Sequence, residues 1–180
     1  MQRQPPRVQD DRQATFTRLA REHARFLYRV AWSVLRHAED AEDCVQEVLL
    51  KLYRGESWRQ MANERAFLGS VVWRMAIDRR SSRGLAVDEG AELQIVDSRP
   101  TPESAAADTD ERALLRELIA ELPEELRDTL RLSALEELNS REIGELMNVP
   151  EGTVRTRLMR ARAELHEKWM ARRGEAISSR

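Results

Sequence analysis

An all-α protein of two small helical domains is what this sequence predicts, and three observations carry that expectation. Apolar residues recur at three- and four-residue intervals over long stretches, the mark of helices with one buried face. Leu, Ala, Arg and Glu dominate, charged residues make up 34% and aromatics only 5%, and strand signals are nearly absent, a composition that suits packed amphipathic helices. Between Gly84 and Thr109 the chain turns acidic, carries Pro, Ala and Ser, and is poor in large apolar residues, which divides the periodic segments into two groups. With 180 residues in all, each group can bury only a modest core.

From about Arg12 to Leu35 the residues Phe16, Leu19, Ala20, Phe26, Leu27, Val30, Ala31 and Val34 fall near helical spacing and predict a long first helix, ended at His37 and Ala38. A second helix, from about Ala38 to Tyr53, turns Ala41, Val45, Val48, Leu49 and Leu52 inward. Its first turns carry Glu39, Asp40, Glu42 and Asp43, which suit the positive end of the helix dipole. Gly55-Glu-Ser breaks the pattern, and a loop with Trp58, Arg59 and Met61 leads into a third helix starting at Asn63 or Glu64. Phe67, Leu68, Val71, Val72, Met75 and Ala76 give that helix a broad apolar face. It ends in Asp78-Arg-Arg-Ser-Ser-Arg83, whose cations suit the negative helix terminus and a phosphate backbone equally.

These three helices make a domain over residues 1–83, followed by a flexible acidic linker over 84–109 and a second domain over 110–180. In the second, Asp110 to Leu122 reads as helix and Pro123-Glu-Glu starts the next, with Leu126, Leu130, Leu132 and Leu135 on its inner face. The last helix runs on through Leu165 and Trp169, and no internal repeat is present.

Within this second domain, Asn139 to Arg162 reads as two short helices joined by a tight turn. Ile143 and Leu146, then Val149, then Val154 and Leu158 set one stripe of each helix against a shared small core. Asn148 sits where the chain must leave the first helix in a left-handed conformation, which Gly suits best and Asn next. Pro150 suits the first turn of the following helix. Arg155, Thr156, Met159 and Arg160 avoid the Val154/Leu158 stripe and so face outward, where a helix in the major groove presents base-reading groups with arginines neutralising phosphate. Arg155, Arg157, Arg160 and Arg162 also fit a plain solvated face. The agreement of turn chemistry with apolar spacing favours the DNA-reading helix-turn-helix.

Charge and special residues exclude several classes. The net charge of -2 hides a polarity along the chain, acidic over Asp88 to Asp110 and basic over Arg74 to Arg83 and Arg155 to Arg162, so a near-neutral total does not exclude a nucleic-acid binder. Cys44, the single cysteine, cannot form an internal disulfide, and no Cys/His spacing resembles a metal site. His23, His37 and His166 are scattered over helical segments without an activated Ser or Cys nucleophile, and read as surface residues. No stretch is long and apolar enough to span a bilayer, and the polar segment Met1 to Arg12 has no apolar run, so a soluble, cytoplasmic protein is expected.

At Asp40-Ala-Glu-Asp-Cys-Val-Gln-Glu-Val-Leu-Leu-Lys-Leu-Tyr-Arg54 the chain resembles the extracytoplasmic-function (ECF) sigma factors of the sigma-70 family, the two-domain promoter-specificity subunits of bacterial RNA polymerase. Arg65-Ala-Phe-Leu through Ala76-Ile-Asp-Arg-Arg80 is similar to the family's promoter-melting helix. Glu121-Leu-Pro-Glu-Glu-Leu-Arg-Asp-Thr-Leu and Gly152-Thr-Val-Arg-Thr-Arg-Leu-Met-Arg-Ala-Arg162 resemble its C-terminal domain, and all segments follow in the family's order and spacing.

The resemblance implies a role for each segment. Asp40, Asp43, Gln46, Glu47 and Leu50 would meet the clamp helices of the polymerase largest subunit, a polar and acidic surface against a basic coiled coil. The loop from Arg54 to Arg59 would capture a base flipped from the minus-ten element, with Arg54, Ser57, Trp58 and Arg59 near it and Arg74, Arg79, Arg80 and Arg83 on the adjacent backbone. A core or hinge role fits Trp58 as well as a stacking platform does. Ser140 and Arg141 would touch phosphate, while Thr153, Arg155, Thr156, Met159 and Arg160 would lie at the minus-thirty-five element. The polymerase flap, promoter DNA and an anti-sigma protein are the other partners implied, with no cofactor and a monomer when free. Trp73-Arg74 stands where the family commonly has Arg-Asn, the loop Ser57 to Asn63 is longer than usual, and Met159 often has an aromatic counterpart.

The linker, on the order of 85 Å if extended, matches about 25 base pairs at roughly 3.4 Å each, enough for both domains to hold one promoter. Such a protein makes and breaks no bond itself, so it is not expected to be an enzyme. Two other readings compete. A conventional helix-turn-helix regulator would bind its site without polymerase, as a dimer on a palindrome, but the acidic helix at Asp40 to Glu47 followed by a basic one argues against it. A helical adaptor that binds only proteins would tolerate loss of Arg155 and Arg160.

Overall fold

The computed structural model describes residues 8–55, 57–83, 105–136 and 138–178. Of the linker expected over 84–109, residues 84–104 lie outside them, as do the first seven residues of the chain. Seven α-helices and one 3₁₀ turn make up the described secondary structure, in agreement with the all-α expectation. The chain divides into two compact units, Met1–Leu85 and Ala86–Arg180.

In the first unit α1 (Val8–Leu35), α2 (Ala38–Gly55) and α3 (Glu64–Arg83) each pack against the other two. Helix α1 ends because Arg36 takes a left-handed φ of 55°, which lets the chain double back. Its guanidinium lies 3.7 Å from the Trp32 ring centre, and both residues are buried. That contact offsets part of the cost of positive φ at a non-glycine residue. From Val30 to Arg36 every residue is buried, in a helix that packs against both α2 and α3. Ala41, Cys44, Val45, Val48 and Leu52 form the inner face of α2. Burial pushes the Cys44 thiol up to about 11, so it stays protonated and inert at neutral pH.

Asn63 caps α3, its side-chain oxygen accepting from the Ala66 N–H at 3.1 Å. The inward stripe of α3 is Leu68, Val72, Ala76 and Arg80, with Trp73 beside it. Trp73 therefore replaces the family's usual polar residue with a core side chain, while Arg74 faces solvent. Phe67, Val71 and Met75, expected on the apolar face, are only half-buried.

The second unit holds α4 (Ala105–Ala120), α5 (Glu124–Glu136), α6 (Ser140–Met147) and α7 (Glu151–Ser178), with α7 packed on the other three. Helix α4 begins at Ala105, inside the segment expected as linker. Leu118, Leu122, Leu132, Leu138, Ile143, Leu146, Val154, Leu158 and Ala161 fill the core. On α5 the fully buried positions are Thr129 and Leu132, whereas Leu126 and Leu130 are half-buried and the Leu135 side chain lies outside the described set. Thr129 tolerates burial because its hydroxyl donates to the Glu125 carbonyl at 2.6 Å. Just after α4, Glu121 accepts from two residues of α7, Lys168 at 3.0 Å and Arg172 at 2.8 Å.

Candidate nucleic-acid interface

The turn between α6 and α7 is built by local chain chemistry. Asn139 caps α6, its side-chain oxygen accepting from the Arg141 and Glu142 N–H groups at 3.0 Å, while Glu142 reaches back to the Asn139 N–H at 2.9 Å. The Asn-x-x-Glu spacing that makes this reciprocal box stands in the sequence and was available as a signal. Asn148 ends the helix at φ 57° and ψ 47°, the left-handed conformation its type suggested. Pro150 lies just ahead of α7, and its carbonyl accepts from Thr153 at 2.9 Å and Val154 at 3.3 Å.

Gly144 escaped the sequence reading. Its position is set by a close approach: a Cβ there would stand 2.8 Å from the Val149 carbonyl oxygen. The Val149 N–H also donates to the Gly144 carbonyl at 3.0 Å, so the turn folds tightly over this residue.

Val154, Leu158 and Ala161 anchor α7 inward and leave Arg155, Thr156, Met159 and Arg160 exposed on one surface. Met159 is 64% exposed, unusual for so apolar a side chain, and so is available to a thymine methyl or a similar surface. Arg155 pairs with Glu151 at 2.5 Å and Arg141 with Glu145 at 3.1 Å, both in solvent, where such pairs are weak and easily exchanged for phosphate. Arg157 differs: it is mostly covered and bonds Glu125 of α5 at 2.7 Å, so it is not part of a plain solvated face. Thr153 and Ser140 are half-buried at the starts of their helices.

The first unit rearranges the residues expected at its two surfaces. On α2, Asp43, Gln46 and Leu50 are exposed, Leu50 at 56%. Asp40 is half-buried, with His37 3.5 Å away. Glu47 bonds Lys51 at 2.7 Å and Arg79 at 2.5 Å, and these hydrogen bonds, from Lys51 first and then Arg79, lower its carboxyl from 4.5 to about 2. Arg79, expected on DNA backbone, thus faces α2, and Arg80 is 7% exposed within the α3 stripe. Neither points a free guanidinium outward, because the register that buries Leu68, Val72 and Ala76 also turns Arg80 in. Arg54, Arg59 and Arg74 remain exposed. The side chains of Ser57 and Arg83 lie outside the described set.

A 3₁₀ turn, Ser57–Gln60, occupies the expected loop. Trp58 is 6% exposed, its ring 5.1 Å edge-on from Phe16, so it belongs to the core and is not a free stacking platform. Phe16 also meets Tyr53 at 5.1 Å, and Arg12 donates to the Tyr53 carbonyl, so the start of α1 supports this turn. A cavity of about 250 Å³ opens here, lined by Arg12, Arg18, Arg59, Trp58, Met61 and Glu64 among others.

Among the described residues, Glu22, His23 and Glu64 bring metal-capable atoms within 4.8 Å of one another. Arg18 bonds Glu22 at 2.5 Å and Glu64 at 3.4 Å, so a protein cation already neutralises both carboxylates. No helix among the described residues is long and apolar enough to cross a membrane.

A three-helix unit with a polar helix surface, followed by a helix-turn-helix unit with an exposed Arg-Thr-Met-Arg face, defines a helical DNA-binding protein. Residues 19–85 match Sigma-70 region 2 and residues 112–165 match Sigma-70, region 4. The chain is 31% identical over 178 residues to the ECF RNA polymerase sigma-E factor of Haemophilus influenzae, covering 90% of this chain and 91% of that one. It is 28% identical to the ECF RNA polymerase sigma factor SigW of Bacillus subtilis over 79% of this chain and 82% of the relative. With ECF RNA polymerase sigma factor SigE of Mycolicibacterium smegmatis identity is 30% over 83% of this chain, which spans 59% of that relative's length. The chain belongs to the ECF sigma factors of the sigma-70 family, whose members act in transcription initiation with RNA polymerase. Two solved structures share the fold at 20% identity and a TM-score of 0.58. They are CnrH in complex with the cytosolic domain of CnrY, covering 88% of this chain and 90% of that chain, and the Bartonella quintana sigma factor RpoE with the anti-sigma factor NepR, covering 87% and 97%.

Proposed function

We propose that this chain binds core RNA polymerase, recognises a minus-ten and a minus-thirty-five promoter element and promotes DNA melting for transcription initiation. The observation that carries this reading is the exposed Arg155, Thr156, Met159, Arg160 face on α7, held by a capped helix-turn-helix in a chain matched by both sigma regions. Two arginines flanking a hydroxyl and a flexible thioether suit base edges and the thymine methyl, while Ser140, Arg141 and Thr153 sit at helix starts where phosphate is favoured.

On the first unit, Asp43, Gln46 and Leu50 present the polar surface with one apolar contact that a basic coiled coil needs, with Asp40 and Glu47 at its edge. Arg54, Arg59 and Arg74 serve the minus-ten strand, and Ser57 and Arg83 complete that set. Residues 1–83, 84–109 and 110–180 act as polymerase-binding unit, tether and DNA-reading unit. The protein works in the cytoplasm as a non-enzymatic, cofactor-free monomer, and an anti-sigma protein masks it, as NepR is paired with RpoE. The regulator reading is the weaker one, because the likeness to sigma factors runs through both units.

Binding of genomic promoter fragments by the purified chain, with and without bacterial core polymerase, tests this. Specific binding and initiation only with core polymerase are expected. Tight specific binding by the chain alone, unchanged by core polymerase, would replace the sigma reading with that of a conventional regulator.

A further inference from the structure

We infer that Arg79 is a positioning residue for polymerase binding and not a DNA contact: from α3 it fixes the Glu47 carboxylate on the polymerase-facing helix α2. This deepens the sigma reading and rests on it. Arg79 divides its guanidinium fork between two points of α2, the Glu47 Oε2 at 2.5 Å and the Asp40 carbonyl at 3.4 Å. Only 17% of the Arg79 side chain is exposed, against 38% for Glu47. A planar fork held at both prongs has one orientation, which a lysine ammonium does not enforce.

The other carboxylate oxygen makes the difference between a structural pair and a presented one. Glu47 Oε1 is bonded at 2.7 Å by Lys51, whose side chain is 60% exposed. A long cation in solvent is held weakly and leaves readily. Oε1 is therefore the exchangeable side, open to a cation of the polymerase clamp, while Oε2 stays fixed by Arg79. With Glu47 already ordered, less side-chain freedom is lost when the surfaces meet. The pair also joins α2 to α3, so the helix that meets polymerase and the one expected at melted DNA share an ion pair near the solvent boundary.

The test uses the full chain as wild type, Arg79→Ala, Arg79→Lys, Glu47→Gln and the Arg79→Ala/Glu47→Gln double variant. Affinity for core polymerase is measured by competition with a labelled sigma factor. Open-complex yield is measured separately at saturating core polymerase, and each variant's melting temperature is recorded. Arg79→Ala is expected to weaken core binding about tenfold and Arg79→Lys to recover part of that. The double variant should match the worse single variant, because both remove one interaction. Open-complex yield at saturation should remain that of wild type. Unchanged core affinity with lost open complexes would overturn the inference and return Arg79 to the DNA backbone, and additive losses in the double variant would overturn the pairing. If Arg79→Ala unfolds, the Arg79→Lys and Glu47→Gln variants carry the same comparison, and wild-type affinity in both would overturn it. A wild-type chain that does not bind core polymerase at all would instead sink the sigma reading itself.

Discussion

Replacing Gly144 by alanine sets two opposed effects against each other in the helix-turn-helix, and the geometry decides between them. Alanine gains about 1 kcal/mol of helix propensity over glycine. Its methyl would stand 2.8 Å from the Val149 carbonyl oxygen, with Glu151 N and Cα at 3.5 and 3.7 Å behind it. The clashing atom is backbone, and its residue is held at Gly144 by the 3.0 Å hydrogen bond from the Val149 N–H, so it cannot swing aside as a side chain would. Overpacking costs roughly 1–3 kcal/mol, and a backbone obstacle belongs at the upper end. The net expectation is about 2 kcal/mol of destabilisation, or on the order of 10 °C in the melting temperature of a unit this small. Melting followed by circular dichroism, with the α6 and α7 amides resolved by NMR, reads the change in the second unit. Promoter affinity should fall with it, because α7 is displaced relative to α6. A variant that melts at or above wild type and keeps its promoter affinity would show that the turn has slack, and the close-approach reasoning would be refuted.

Arg155→Ala and Arg160→Ala should each lower promoter affinity and reduce the slope of log affinity against log salt by about one. Arg157→Ala, which breaks only the bond to Glu125, should leave that slope unchanged and cost less than about 1 kcal/mol of stability, so equal salt slopes for all three would contradict the assigned orientations. Glu47 has a folded-state carboxyl near 2 against an ordinary 4.5, so its contribution to stability is present above about pH 4.5 and is lost as pH falls from there towards 2. Urea midpoints measured down this range should fall more steeply for wild type than for Glu47→Gln, and half a molar salt should shrink the difference because the pair is partly solvated. Parallel curves would remove the assigned role of the Lys51 and Arg79 bonds.

The sequence by itself determined what short-range chemistry governs. The repeat of apolar residues fixed the helices, because burial of one face imposes a 3.6-residue period wherever a helix meets a core. Asn148 announced the left-handed turn, since few residue types enter that conformation cheaply, and Val154 with Leu158 assigned the outward face of α7 by subtraction. Even Arg80 lay on a readable stripe, four residues beyond Ala76, but its charge hid a burial that its register imposed.

The tertiary structure alone decided which charges remain available and which rings are covered. Trp58 is buried because Phe16, 42 positions earlier, meets it, and Glu47 and Arg79 pair across 32 positions, as do Glu125 and Arg157. Helical register sets Arg157 beside the Val154/Leu158 stripe and Arg155 away from it, but only the tertiary structure supplies Glu125 of α5, which clamps Arg157 while Arg155 faces solvent. Electrostatic pairing and ring packing depend on through-space distance between helices. Spacing along the chain encodes the face a residue occupies, whereas the neighbour waiting on that face comes from another helix.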